Sequence, residues 1–200
     1  MNDRPRIPLA EADELAAEVV TMLRAFCMRI EVAGSIRRRK EDVGDIEIVA
    51  VPAVDDVPVG LFADRLLAVD HLHARCCDFL AAGTFAHRPD KNGRPAFGAK
   101  FKRLLYRGFP LDLFSTTDEQ WGVIYAIRTG PAEFSHRLVT PTSQGGLLPN
   151  WMKVHEGRIA RRDTTEPYPT PEEEDVFRLV GLGFIPPEKR TGLERAMVAR

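Results

Sequence analysis

The sequence predicts an α+β fold, and three observations carry that prediction. Apolar residues recur at helical spacing over residues 9–29. A β-branched run occupies residues 45–51. Two hairpin patterns, at 99–114 and 152–162, stand between helical stretches rather than alternating with them. The 200 residues suit one or two small domains and can bury a real core. Hydrophobic residues make up 44% and charged residues 28%, an ordinary globular composition. No apolar run approaches the roughly 18 residues that a membrane span needs. Met1-Asn2-Asp3-Arg4-Pro5 lacks the apolar core of a signal peptide, so a cytoplasmic location is expected. Cys27, Cys76 and Cys77 form an odd set with an adjacent pair, a poor disulfide framework, and reduced thiols are expected. A formal net charge of −1 excludes gripping nucleic acid by bulk charge; any such contact rests on local patches.

In the helix over 9–29, Ala12, Leu15, Ala16, Val19, Leu23 and Phe26 form the apolar stripe, with Glu11, Asp13, Glu14 and Glu18 among them. Residues 30–33 read as a short strand, Gly34-Ser35 as a turn, and Arg37-Arg38-Arg39-Lys40 as a basic run. Val43-Gly44 leads into the strand over 45–51. Residues 59–82 read as helical. Asp90-Lys91-Asn92-Gly93 is a turn by its Asn-Gly signal. Residues 99–106 and 110–114 pair around Arg107-Gly108. Thr116 with Glu119 fits a capping box, which predicts a helix over 117–128 that Thr129-Gly130-Pro131 breaks. Another helix covers 132–140. The second hairpin turns at Glu156-Gly157. Thr170-Pro171-Glu172-Glu173 predicts a last helix, ending near Gly181-Leu182-Gly183. Trp121 and Trp151 read as core residues. His71, His73, Cys76 and Cys77 read as a half-buried helix rather than a zinc site, because the His and Cys pairs point to different sides.

The chemistry concentrates in residues 34–47. Asp45 and Glu47 lie two apart on a strand, so both face one side with Cα atoms about 7 Å apart, while Ile46 and Ile48 face the core. Asp112 repeats the pattern in Leu111-Asp112-Leu113. If the two strands are neighbours, three carboxylates converge, and such a cluster repels itself unless cations sit in it. Oxygen ligands of this kind suit Mg²⁺ or Mn²⁺. Two ions about 4 Å apart would clamp the attacking and leaving oxygens of a phosphoryl transfer. Gly34 lets the backbone approach a phosphate, Ser35 adds a hydroxyl, and Arg37 and Arg38 can neutralise phosphate charge. Each feature alone is common. Joined in one stretch, they point to a metal-bound triphosphate substrate.

Gly34-Ser35-Ile36-Arg37-Arg38, followed by Gly44-Asp45-Ile46-Glu47, resembles the signature of the family X DNA polymerases, a branch of the nucleotidyltransferase superfamily. Arg6-Ile7-Pro8 resembles the start of that family's palm, and Leu111-Asp112-Leu113 the strand with its third carboxylate. Arg128-Thr129-Gly130 and Phe134-Ser135 resemble the nucleotide-binding segment that opens the thumb. Residues 173–177 and 182–188 resemble the family's C-terminal end. The resemblance implies a nucleotidyltransferase palm over 1–115, a mixed sheet with helices packed on one face, and a small α/β thumb over 116–200.

It also implies roles. Asp45 and Glu47 would hold both metals. Asp112 would hold the catalytic one and help activate a primer 3′-hydroxyl. Ser35 and Arg38, with Arg6, would contact the triphosphate, and Gly34 would shape the turn. Thr129 and Gly130 would lie along the sugar of the incoming nucleotide, next to Arg128. The chain departs from the family in carrying Glu47 for an Asp, Ile127-Arg128 for Tyr-Phe, and Ala132 and Ser135 for Asp and Asn. The expectations that follow are a monomer that copies primer–template or gapped DNA from nucleoside triphosphates, without lyase and fingers domains. DNA grip would come from Lys100, Lys102 and Arg103, from Arg158, Arg161 and Arg162, or from an accessory DNA-binding partner. Template-independent nucleotidyl transfer is the alternative, followed by an inactive nucleic-acid-binding module.

Overall fold

In the computed structural model, which describes residues 5–59, 65–90 and 92–190, the stretch 9–29 divides between a helix, a 3-10 turn and the start of a strand. After β1 (Ile7–Pro8), helix α1 (Leu9–Leu23) buries Ala12, Ala16, Val19 and Leu23. A 3-10 turn at Arg24–Phe26 follows, and the chain is already extended in β2 (Cys27–Val32). The helix predicted to residue 29 therefore stops early, because pairing with a neighbouring strand overrides the helical period. Gly34-Ser35, read as a turn, opens a single helical turn, α2 (Gly34–Arg37). β3 (Asp42–Val43) pairs with β1, and β4 (Ile46–Pro52) is the predicted catalytic strand.

The largest correction falls on 59–82. A hairpin of β5 (Val54–Val59) and β6 (Arg65–Asp70) comes first, and only then α3 (His71–Ala81), capped where the Asp70 carboxylate accepts from His73 N at 2.8 Å. Residues 60–64 of that prediction lie outside the described residues, as does Lys91 of the 90–93 turn, where Gly93 N donates to Asp90 O at 3.0 Å. β7 (Phe85–His87), β8 (Phe101–Tyr106) and β9 (Phe109–Ser115) complete the first half. The β8–β9 hairpin turns at Arg107 (φ 49°) and Gly108 (φ 79°) as expected. The predicted capping box at Thr116 is absent; its hydroxyl donates to Gln120, and a 3-10 turn at Asp118–Gln120 precedes α4 (Trp121–Thr129). α5 (Ala132–Val139) and the hairpin β10 (Met152–His155) with β11 (Arg158–Arg161) fall where predicted. α6 (Glu173–Leu179) starts after the Thr170 signal: its box is formed by Glu172 and Asp175, while Thr170 is buried.

The main sheet is mixed, as expected, in the order β2-β4-β9-β8-β7; β4 and β9 are parallel and the other pairs antiparallel. Ile46, Ile48, Leu111 and Leu113 turn to the face that α1 and α3 cover. Helices are not confined to that face. Trp121 and Tyr125 of α4 pack on Val49, Val51 and Phe114 on the opposite side. A second core joins α4, α5, β11 and α6 through Val123, Phe134, Leu138, Ile159, Val176 and Phe177. Charged groups bind the halves. Arg29 donates to Glu172 at 2.8 and 2.7 Å, and buried Glu173 accepts from Arg37 and from Arg190. The β5–β6 hairpin stands apart, with Leu66 67% and Leu67 54% exposed.

Candidate active site

The parallel pairing of β4 with β9 sets the geometry. Glu47 lies directly opposite Asp112, on strands about 4.8 Å apart. Asp45, two residues before Glu47, leads into the same strand and falls on the same side. The apolar neighbours of each acid point into the core, so the carboxylates are held against a rigid, water-poor wall. Burial pushes the Glu47 carboxyl up to about 7, with the charges of Asp45 and Asp112 adding to the rise. Burial also raises Asp112, with Asp45 adding to the effect, and Arg88 and Arg103 only partly offset it.

Of those two, Arg88 carries no expected role, while Arg103, expected in a DNA-gripping patch, turns instead to Asp112. Arg88 Nη2 donates to Asp112 Oδ1 at 2.5 Å, and Arg103 Nε lies 3.6 Å from the same oxygen. Arg103 is the strand partner of Asp112, and Arg88 N bonds to Arg103 O. Arg88 had no local signal; only the pairing of distant strands brings it to Asp112. Among the described residues, no three His, Cys, Asp or Glu side chains gather as a metal-binding group. Asp112 is instead engaged by the two cations.

On the other side lies the glycine turn. Gly34 has φ +61°, and a Cβ there would overlap the Glu47 carboxylate, so only glycine allows this approach. The Ser35 hydroxyl and Arg38 Nε are buried and lack hydrogen-bond partners among the described residues. They line a recess of about 600 Å³ with Arg6, Arg39, Lys40, Glu41 and Asp42. Arg6 Nη2 donates to Asp42 O at 2.8 Å. This orphaned hydroxyl and the surrounding cations are the donor set that an oxyanion would satisfy.

Arg37 does not join that set. It donates to Thr129 Oγ1 at 2.6 Å and to both Glu173 oxygens, a structural role. Arg38 Nη1 donates to Thr129 O at 2.5 Å. Thr129 is therefore buried, with its hydroxyl already engaged. Gly130 is required for space, since a Cβ would press on Phe134 and Ser135. Arg128 stacks 3.9 Å above the Phe114 ring; partial burial lowers its pKa, against the opposing charges of Glu47 and Asp112.

The predicted basic patches change. Lys102 is fully buried on the opposite face from Arg103, its amine bonded to Ala99 O at 3.3 Å, because adjacent strand residues face opposite sides. Arg158 pairs with Glu119 and Glu156, and Arg161 with Asp163. Trp121 is core, but Trp151, also predicted as core, is 65% exposed.

Among the described residues, no helix is long and apolar enough to cross a membrane. No curated protein matches the chain. Residues 126–191 match the DNA polymerase beta thumb, which relates this C-terminal part of the chain to the family X polymerases and to DNA binding.

Proposed function

We propose that the chain is a nucleotidyltransferase of the family X type that adds nucleotides to a primer 3′-hydroxyl on a DNA template, releasing pyrophosphate. The observation that carries this reading is the facing pair Glu47–Asp112, with Asp45 beside it and the unsatisfied Ser35 hydroxyl next to it. The thumb match supports a polymerase over other transferases. On this reading residues 1–115 act as palm and 116–200 as thumb, with α4 packed both on the main sheet and in the second core.

Mg²⁺ or Mn²⁺ fits the donor set in chemistry: three hard oxygen ligands whose mutual repulsion a cation would relieve. Asp45, Glu47 and Asp112 would hold two such ions, which supply charge neutralisation for the phosphoryl group and activation of the attacking hydroxyl. Asp112 would first have to give up Arg88. Ser35 and Arg38, with Arg6 at the rim, would hold the triphosphate in the recess, and the stacked Arg128 would flank the nucleotide from the thumb side. A labelled primer–template with Mg²⁺ or Mn²⁺ and single nucleotides tests the reading. Addition of the templated base, lost in Asp112→Ala, is the expected result. Addition regardless of template would favour template-independent transfer. No addition to any acceptor would leave a binding module.

A further inference from the structure

Trp151 is the least expected side chain in the thumb. An indole in a small domain normally joins the core, and Trp121 does so completely. Trp151 instead stands 65% exposed at the start of the β10–β11 hairpin. The backbone that carries it is braced by hydrogen bonds. Arg162 N donates to Trp151 O at 2.8 Å, while its guanidinium donates to Asn150 O and Met152 O, each at 2.8 Å. One residue thus clasps three consecutive carbonyls around the indole. On the preceding side, Asn150 Oδ1 accepts from Ser143 N at 2.9 Å.

The charge around it is uneven. Arg158 and Arg161 in the same hairpin are neutralised by carboxylates. Among the described residues, Arg162 and Lys153 have no carboxylate within ion-pair distance; Lys153 Nζ donates to Arg162 O at 3.3 Å. Uncompensated positive charge is therefore concentrated at the Trp151 end. An exposed aromatic side chain on a braced backbone, beside cations without carboxylate partners, matches a base stacked on the ring with its phosphate alongside. A protein partner would instead need a continuous apolar area. Bases within a duplex are already stacked, so the fitting base is an unpaired one.

We propose that Trp151 is a stacking platform for an unpaired nucleobase of single-stranded DNA, with Arg162 and Lys153 taking the adjacent phosphates. This rests on the reading of the chain as a DNA-contacting polymerase relative.

The chain has two tryptophans, one buried and one exposed, so intrinsic fluorescence reports on the site directly. Titration of the full chain with single-stranded oligo-dT is expected to quench the exposed emission. The quenching should vanish in Trp151→Phe, which keeps an aromatic face and retains most of the affinity. Trp151→Ala should weaken binding about 5- to 150-fold, the range for loss of one stacked base. Its melting curve should match wild type, since the side chain is exposed. Binding that is equal in wild type and Trp151→Ala, without quenching, overturns the proposal. So does a concentration-dependent oligomer that Trp151→Ala abolishes without any DNA response. Primer extension measured in parallel separates the two readings. Extension without a Trp151 response defeats this inference alone; quenching without extension defeats the polymerase reading alone.

Discussion

Glu47 is the residue where position and charge pull hardest against each other. Its ordinary carboxyl value of 4.5 rises to about 7, first through burial and then through Asp45 and Asp112. In metal-free protein the folded state then keeps a proton that the unfolded chain has already lost between those values. Stability should fall as pH rises from 4.5 to 7, by at most about 3 kcal/mol. Urea unfolding in chelator across that window should show a smaller fall in Glu47→Gln than in wild type, the remainder coming from Asp112, which burial also raises. Added Mg²⁺ should remove it; a difference that does not change with pH would contradict the account. Glu173 is the opposite case. Burial works to raise its pKa, but the hydrogen bonds from Arg37 and Arg190 prevail and hold it below the usual range. Its stabilisation is present above the unfolded value and is lost as pH falls through the folded one. Removing one partner of a buried charge cluster is costly, so Glu173→Ala should lose about 3–5 kcal/mol at neutral pH in the same urea measurement.

At the scale of elements, α2 shows what was legible and what was not. The motif Gly34-Ser35 and the alternation Asp45-Ile46-Glu47 could be read directly, because turn chemistry and strand period are local rules. Placing Glu47 opposite Asp112 needed a parallel pairing between strands far apart in sequence, which no local pattern encodes. The same limit hid Arg88, whereas strand alternation already separates Lys102 from Arg103, so the two never could share one patch. Strand β6 falls inside the stretch predicted as helix, and β5 before it carried no strand prediction, because the ribbon's apolar residues do not alternate cleanly, both its faces being open to water. The close contact at α2 gives a direct test. Gly34→Ala adds a Cβ at positive φ against the Glu47 carboxylate. It should cost more than about 1 kcal/mol in thermal unfolding and abolish nucleotide addition. Full activity in that variant would mean that the turn and the carboxylates are not one site.

Over the whole molecule, the two cores communicate through few elements. Trp121 and Tyr125 of α4 lie on the main sheet while Val123 and Ala126 of the same helix enter the second core, and the Arg37–Glu173–Arg190 cluster locks the joint. The hairpin of β5 and β6 takes no part in this. His71 N donates to Ala53 O at 3.0 Å, so the chain leaves the sheet and returns to the point of departure. Replacing residues 54–69 with a short glycine linker, keeping the Asp70 cap, should leave the melting temperature within a few degrees of wild type. The exposed His71–Asp55 pair lost in the exchange is worth little. A collapse of the melting transition would show that the ribbon supports the sheet after all. If it does not, the loop is a socket: a place where a foreign module could be spliced in, its two ends already joined by a single hydrogen bond.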